Sequence, residues 1–377
     1  MNKSKLLDKL KIFSKPDPIL TLFAVLSSIA GFIAIYSATQ SMGTIRLLII
    51  QIVAFLLGFV CMLVISNVDY ELFMDANKYI FIGNILLLVL VLFIGMGKES
   101  TGTQGWIDLG PVSFQPSEVV KLGFILTFSK HLLAVKRDIN YLPTLFGLTM
   151  HMLVFVFLIM LQPDLGTAMV FLFIFLSMIF VAKISYKYII TLFAVLAVLT
   201  PLFWHFKDVF LSPYQVNRLL VFLDPHRDPA GAGYNVIQSE ISIGSGKLFG
   251  KGYLNGTQNQ LEYLPAKHTD FIFATIGEEW GFAGCILIVF LLAAIVIRCI
   301  YIAQTAKDDY GSFICTGIAS MFLFHILENI GMCILLMPVT GIPLPFISYG
   351  GTSMLTSMMA IGFVNSVASA SKPRNMF

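Results

Sequence analysis

Three stretches of this 377-residue chain put ionisable side chains where chemistry could use them. Asp270, in "LPAKHTDFIF", stands among apolar residues, and Glu278 and Glu279 follow in "FATIGEEWGF". A carboxylate in such surroundings suits general-base work, taking a proton from a hydroxyl as that oxygen attacks. A plainer role competes, because Thr269 and Asp270 are both good N-cap residues for the helix that follows. At roughly 100° per residue, Glu278 lies about 80° from Asp270 and Glu279 about 180° away, so only Glu278 shares a face with it if the helix is continuous.

The stretch "FQPSEVVKLGF" places Glu118 and Lys121 three residues apart on one helical face, behind a Pro116 that fits the first helical position. Both lie inside an apolar run. An ion at bilayer depth costs at least ~2.5 kcal/mol and by default marks a pair or a function. A structural ion pair and a lysine that meets an anion are both open readings.

In "LQPDLGTAM", Asp164 stands at a helix start, where the macrodipole favours an acid and capping is the simpler role. In "PVTGIPLPFISYGGTSML", Ser348 and Gly350 fall where the last helix begins. Free N–H groups there would suit a phosphate-like anion, or the small residues would let backbones approach closely. In "TGTQGWIDLG", Trp106 is an interface anchor or a platform for a sugar. Arg218 and Lys267 are candidates to offset anionic charge, or contacts for lipid headgroups.

The elements that must position these residues are membrane helices. The chain is 57% hydrophobic and 12% charged, which excludes an ordinary water-soluble globule. Apolar runs long enough to span a bilayer recur throughout, so residues 1–377 read as one all-α polytopic membrane domain. They predict about ten helices, at roughly 18–39, 45–66, 77–96, 116–134, 142–161, 165–182, 187–206, 280–303, 311–337 and 347–370. Residues 1–17 are basic and lack a small-residue cleavage site, and read as a retained cytoplasmic tail.

Lys and Arg gather in the short segments on the side of that tail, including Lys78, Lys130, Lys136, Arg137, Lys183, Arg298 and Lys307. The positive-inside rule then puts both termini in the cytoplasm. Two segments fall outside: a loop over 97–115 and a far longer one over 207–270. The long loop carries aliphatic and aromatic residues at spacings suited to surface-lying amphipathic helices, so it should fold as a lid or cradle. The five cysteines are scattered without C-x-x-C spacing and read as packing residues. The net charge of +3 carries no nucleic-acid signature.

Taken together, "GWIDLG", "FQPSEVVK", "LQPDLGTA", "LNGTQNQLEYLPAKHTDFIFATIGEEWGFAG" and "PVTGIPLPFISYGG" resemble the SEDS family of shape, elongation, division and sporulation proteins, over the whole chain. The "NGTQNQLEYLP" segment is more similar to elongation-type than to division-type members. The resemblance implies a peptidoglycan glycosyltransferase of the bacterial inner membrane that polymerises lipid II beside a class B penicillin-binding protein. It puts the essential acid on Asp270, the cavity acid and lysine on Glu118 and Lys121, and the loop tryptophan on Trp106. The family's usual "LPERHTDF" reads "LPAKHTDF" here, so Ala266 replaces an acid.

The reaction so implied inverts an α-linked donor, with Asp270 as base toward the sugar 4-hydroxyl and Lys121, Arg218 and Lys267 near the departing pyrophosphate. A divalent cation, Mg or Mn, between pyrophosphate and Asp270 would make Asp270 a ligand instead. Two rival functions remain at this stage: a lipid II flippase, and a non-catalytic scaffold for the transpeptidase. Polar residues clustered at outer helix ends fit the flippase less well, since alternating access needs them toward both leaflets.

Overall fold

The computed structural model describes residues 16–97, 103–108, 110, 113–205, 216, 220–229 and 231–371. The described residues of the chain are mostly helical. Its elements are α1 (Pro18–Gln40), α2 (Arg46–Ser66), the short α3 (Glu71–Asp75), α4 (Asn77–Ile94), strands β1 (Ile107–Asp108) and β2 (Ser113–Phe114), and α5 (Pro116–Val135). There follow α6 (Leu142–Met160), α7 (Leu165–Val181), α8 (Tyr186–His205), α9 (Ala232–Ser245), α10 (Thr257–Gln260), α11 (Ile272–Gln304), α12 (Asp309–Cys333) and α13 (Gly351–Ser371).

Among the described residues, seven helices, α1, α2, α4, α6, α11, α12 and α13, are long and apolar enough to cross a membrane. Helices α7 and α8 carry shorter apolar runs, and α5 begins with the buried Glu118 and Lys121. Exposed Leu, Ile, Val and Phe cover the outward faces of α2 and α4, as lipid-facing helices require.

Local sequence explains the helix starts. Pro18 opens α1 with Asp17 accepting from the Leu20 amide at 2.9 Å, and Pro116 opens α5. Asp17 also receives a two-point bond from Arg298 at 3.1 and 2.7 Å, tying α1 to α11. Helix α13 packs against α2, and α11 against α1 and α12. Gly31 lets α1 press on the turn before α13, where a Cβ would stand 2.6 Å from the Phe346 carbonyl oxygen.

One end of the bundle is tied by connecting segments: Lys136 pairs with Asp309 at 2.6 Å, Lys307 with Glu71 at 3.3 Å, and Tyr70 donates to Asp308. At the opposite end lie the β1–β2 hairpin, α9, α10 and the turn from Pro338 to Gly350. The described part of the long connection before α11 is folded: α9 lies on α11 and α12, with Val236, Ser239 and Ser242 buried. All five cysteines are free thiols, four of them buried, in keeping with a packing role.

Helix α11 begins at Ile272, earlier than hydropathy indicates, and is broken at Gly281, whose φ of 69° and ψ of −164° no L-residue adopts comfortably. The break exposes backbone groups, and a turn from α9 satisfies them. Lys251 and Gly252 donate to the carbonyls of Glu278 and Glu279 at 2.9 and 3.1 Å. Phe282 and Ala283 donate to those of Lys247 and Leu248 at 2.9 and 3.0 Å. The last helix starts at Gly351, so residues 347–350 form a turn and not a helical end.

Candidate active site

A cavity of about 390 Å³ opens at the end that carries the hairpin and α10. Its wall includes Trp106, Glu118, Lys121, Asp164, Asp270 and Gly350. Six residues read from five separate stretches of sequence therefore meet in one place.

Helix α5 supplies the floor. Lys121, 1% exposed, donates to Glu118 Oε1 at 2.7 Å. Its Nζ also lies 2.9 Å from His325 Nε2 on α12. The Thr356 hydroxyl of α13 approaches the other Glu118 oxygen at 3.4 Å. The pair is thus real, and it is held from three helices.

Asp164 caps α7, accepting from the Thr167 amide at 2.9 Å and hydroxyl at 2.8 Å. Burial pushes its carboxyl above the ordinary carboxylate range, while the Thr167 bonds and nearby Lys121 pull it back. It caps a helix and lines the cavity at once.

Asp270 lies two residues ahead of α11. The N-cap of that helix is Phe271, so Asp270 stands one residue outside the cap position. Its backbone is anchored: the Asp270 carbonyl accepts from Asn329 Nδ2 at 2.9 Å and from the Cys333 thiol at 3.8 Å. The carboxylate faces the turn at Gly341, where an added Cβ would lie 3.4 Å from Oδ2. Trp106 is held by backbone bonds with Met96, at 2.7 and 3.4 Å.

Several expectations need correction. Glu278 does not share the cavity with Asp270, because the helical count runs through a segment that is not helix. Glu278 is fully buried elsewhere, bound by Lys251 at 2.7 Å, Thr257 at 3.1 Å, and the amides of Gln258 and Asn259 at 2.9 and 3.1 Å. Lys267 turns away from the cavity and donates to Ser41 Oγ at 2.5 Å and the Asn259 carbonyl at 2.6 Å. Burial lowers its ammonium below the usual lysine value, offset in part by Glu262 and Glu279.

Ser348 is also behind the wall. It donates to the Thr269 carbonyl at 2.7 Å and accepts from the Leu344 amide at 2.9 Å, so it fixes the backbone beside Asp270. The turn amides expected to be free are used: Tyr349 N–H goes to His268 O at 2.9 Å and Gly350 N–H to Gln51 Oε1 at 3.0 Å. Arg218 lies outside the described residues.

Sequence reasoning missed the polar stripe on α12. His325, Glu328 and Asn329 are all buried and all face the turn that forms the cavity wall. Thr340 donates to Glu328, and Asn329 donates to the Ile342 carbonyl at 2.8 Å. Three polar residues within five positions of an otherwise apolar helix were the available signal.

A multi-pass helical membrane protein with an acid, a lysine and a tryptophan around one cavity at a bundle end is the class this arrangement defines. The chain belongs to the FtsW/RodA/SpoVE family of cell cycle proteins, whose profile matches residues 18–373. It is 36% identical over 371 residues to the peptidoglycan glycosyltransferase MrdB of Escherichia coli K12, covering 97% of this chain and 96% of that protein. It is 37% identical to stage V sporulation protein E of Bacillus subtilis, covering 95% and 98%.

Solved structures agree. A chain from a peptidoglycan synthase complex, described for its coordination of polymerization and crosslinking, is similar with a TM-score of 0.82 and 30% identity, covering 94% of this chain and 98% of that one. The rod shape determining protein RodA of Thermus thermophilus gives a TM-score of 0.69 at 28% identity, covering 94% and 96%.

Proposed function

We propose that this chain is a peptidoglycan glycosyltransferase that polymerises lipid II into glycan strands at the outer leaflet, in cell-wall elongation. The observation that carries the reading is the meeting of Asp270, Trp106 and the Glu118–Lys121 pair on one cavity. The full-length likeness to named peptidoglycan glycosyltransferases supports it.

Asp270 takes the proton from the attacking sugar hydroxyl. It suits the task because it lines the cavity and its backbone is pinned by Asn329. Lys121 faces the departing pyrophosphate, its charge held in a buried position where screening is weak. Glu118 keeps that lysine from being a lone buried ion. Trp106 offers a flat apolar face to a sugar ring, and Gly350 leaves room at the wall.

Mg²⁺ or Mn²⁺ is compatible with this reading in one way. No group of three or more His, Cys, Asp or Glu is arranged to hold a metal ion among the described residues. A cation here would rest on Asp270 together with the substrate's own phosphates, an arrangement usual for Mg²⁺.

The ten long helices are read as ten spans, with both termini cytoplasmic and the segments 97–115 and 207–270 external. The partner is a class B penicillin-binding protein, in line with the synthase complex that holds a similar chain. Purified protein, alone and with that transpeptidase, is given lipid II and the products are sized. Glycan ladders that vanish in Asp270→Asn support the reading, and lipid II translocation without polymer under every condition would replace it with a flippase.

A further inference from the structure

His325 is a buried, titratable side chain with no part in the steps above. It is 3% exposed, sits on α12, and its Nε2 lies 2.9 Å from Lys121 Nζ on α5. Its other ring nitrogen meets the backbone of Pro343, a residue of the cavity wall. Proline has no N–H, so the imidazole must donate there through Nδ1. The lone pair is then on Nε2, and it accepts one proton of the Lys121 ammonium.

An ammonium has three N–H donors. Glu118 takes one at 2.7 Å and His325 takes a second. A lysine side chain is flexible, and Glu118, on its own helix, leaves the Nζ free to pivot. A second acceptor on a different helix fixes the point in space. It also fixes where the remaining N–H is directed, and Lys121 is a lining residue of the cavity. Because the second acceptor is neutral, it holds the ammonium without cancelling further charge.

We propose that His325 is a positioning residue for the transferase reaction: it holds the Lys121 ammonium at the cavity floor, from the wall turn at Pro343, so that its third N–H faces the departing pyrophosphate. This rests on the reading of Lys121 given above. A packing histidine would need neither of these two bonds, and its replacement by an apolar residue of similar size would leave turnover intact.

The test uses the purified full chain with its transpeptidase and lipid II. His325→Leu removes the acceptor; misplacement of a catalytic group by about 1 Å can cost on the order of 100-fold in rate. The expected result is a fall of roughly that size in kcat with KM nearly unchanged, the signature of an interaction made mainly in the transition state. His325→Gln presents a donor to Pro343 and an acceptor to Lys121, and restores most of the rate. In a double-mutant cycle with Lys121→Met, His325→Leu adds no further loss, because it acts through the lysine.

If His325→Leu does not fold, His325→Met takes its place in the same cycle. Unchanged turnover in the apolar variant, equal loss in Leu and Gln variants, or full additivity with Lys121→Met would each overturn the inference. Normal polymerisation by Lys121→Met alone would instead remove the reading of Lys121 on which it rests.

Discussion

Asn329 holds Asp270 by its backbone carbonyl. One side-chain amide of α12 donates to the carbonyls of Asp270, at 2.9 Å, and Ile342, at 2.8 Å, so the segment bearing the acid and the turn facing it are fastened to the same nitrogen. Asn329→Leu keeps the volume, strands the Ile342 carbonyl and leaves that of Asp270 with only the weak Cys333 thiol donor, at about 1–3 kcal/mol for each buried group left unpaired. Thermal unfolding and polymerisation should both fall. A variant with a wild-type melting point and wild-type turnover would show the clasp to be dispensable.

The carboxylate itself is separable from the fold. Since Asn matches Asp in size and in capping ability, Asp270→Asn should leave expression, melting temperature and transpeptidase binding near wild type. Polymerisation should drop by ~100- to 10,000-fold, the usual range for a general base. Loss of folding together with activity would make the residue structural, and rescue by a different divalent ion would make it a ligand.

Glu118 and Lys121 give a different pattern. Removing one partner of a buried pair leaves a lone ion and costs about 3–5 kcal/mol, so Glu118→Gln and Lys121→Met should each destabilise the protein. Exchanging the two residues should recover stability in part and activity not at all, because Thr356 and His325 are aimed at the present arrangement. Near-normal turnover in the exchanged protein would reduce the pair to a structural one.

His268 sets an acid limit. Burial, and next the charge of Lys267, hold its imidazole below the usual 6.5. The unfolded chain therefore takes up this proton first as pH falls, and the folded state loses stability below pH 6.5 while losing none above it. Melting temperatures at pH 7.5 and 5.5 should separate more for the native protein than for His268→Gln. Equal separations would assign the acid sensitivity to other groups.

Orientation is open to direct measurement. On a background free of the five native cysteines, a cysteine at Leu261, 61% exposed beside α10, should react with an impermeant thiol reagent from outside. One at Lys136 should react only from inside. The reverse result would turn the cavity toward the cytoplasm and discard the proposed reaction.

What could be read from sequence follows a physical division. The long helices were legible because apolar runs extend over consecutive residues, and helix starts because Pro116 and Asp164 act locally. Asp270, Glu118 and Lys121 stood out because polar residues in apolar runs are costly, and Trp106 as an aromatic in a loop beside the membrane; the fold brings all four to one cavity. His325 and Asn329 were not singled out, since their meaning lies in partners 204 and 59 positions away. Glu278 was misassigned because a helical count was carried across Thr269–Phe271, which is not helix. Lys267 was misassigned because residue type does not say which way a side chain turns, and this one turns toward Ser41.

The break at Gly281 bears on how the chain is made. Glu278 and Glu279 are buried acids on the segment before the break, and their partners are Ser37, Lys251, Thr257, Gln258 and Asn259. Every one of these lies earlier in the chain. When a ribosome delivers the two carboxylates to the membrane, the hydroxyls, amides and ammonium that will neutralise them have already left it. Synthesis from the N-terminus thus presents each acid to a finished receptor. A circular permutation that placed residues 251–260 after α11 would insert both acids with nothing to meet them.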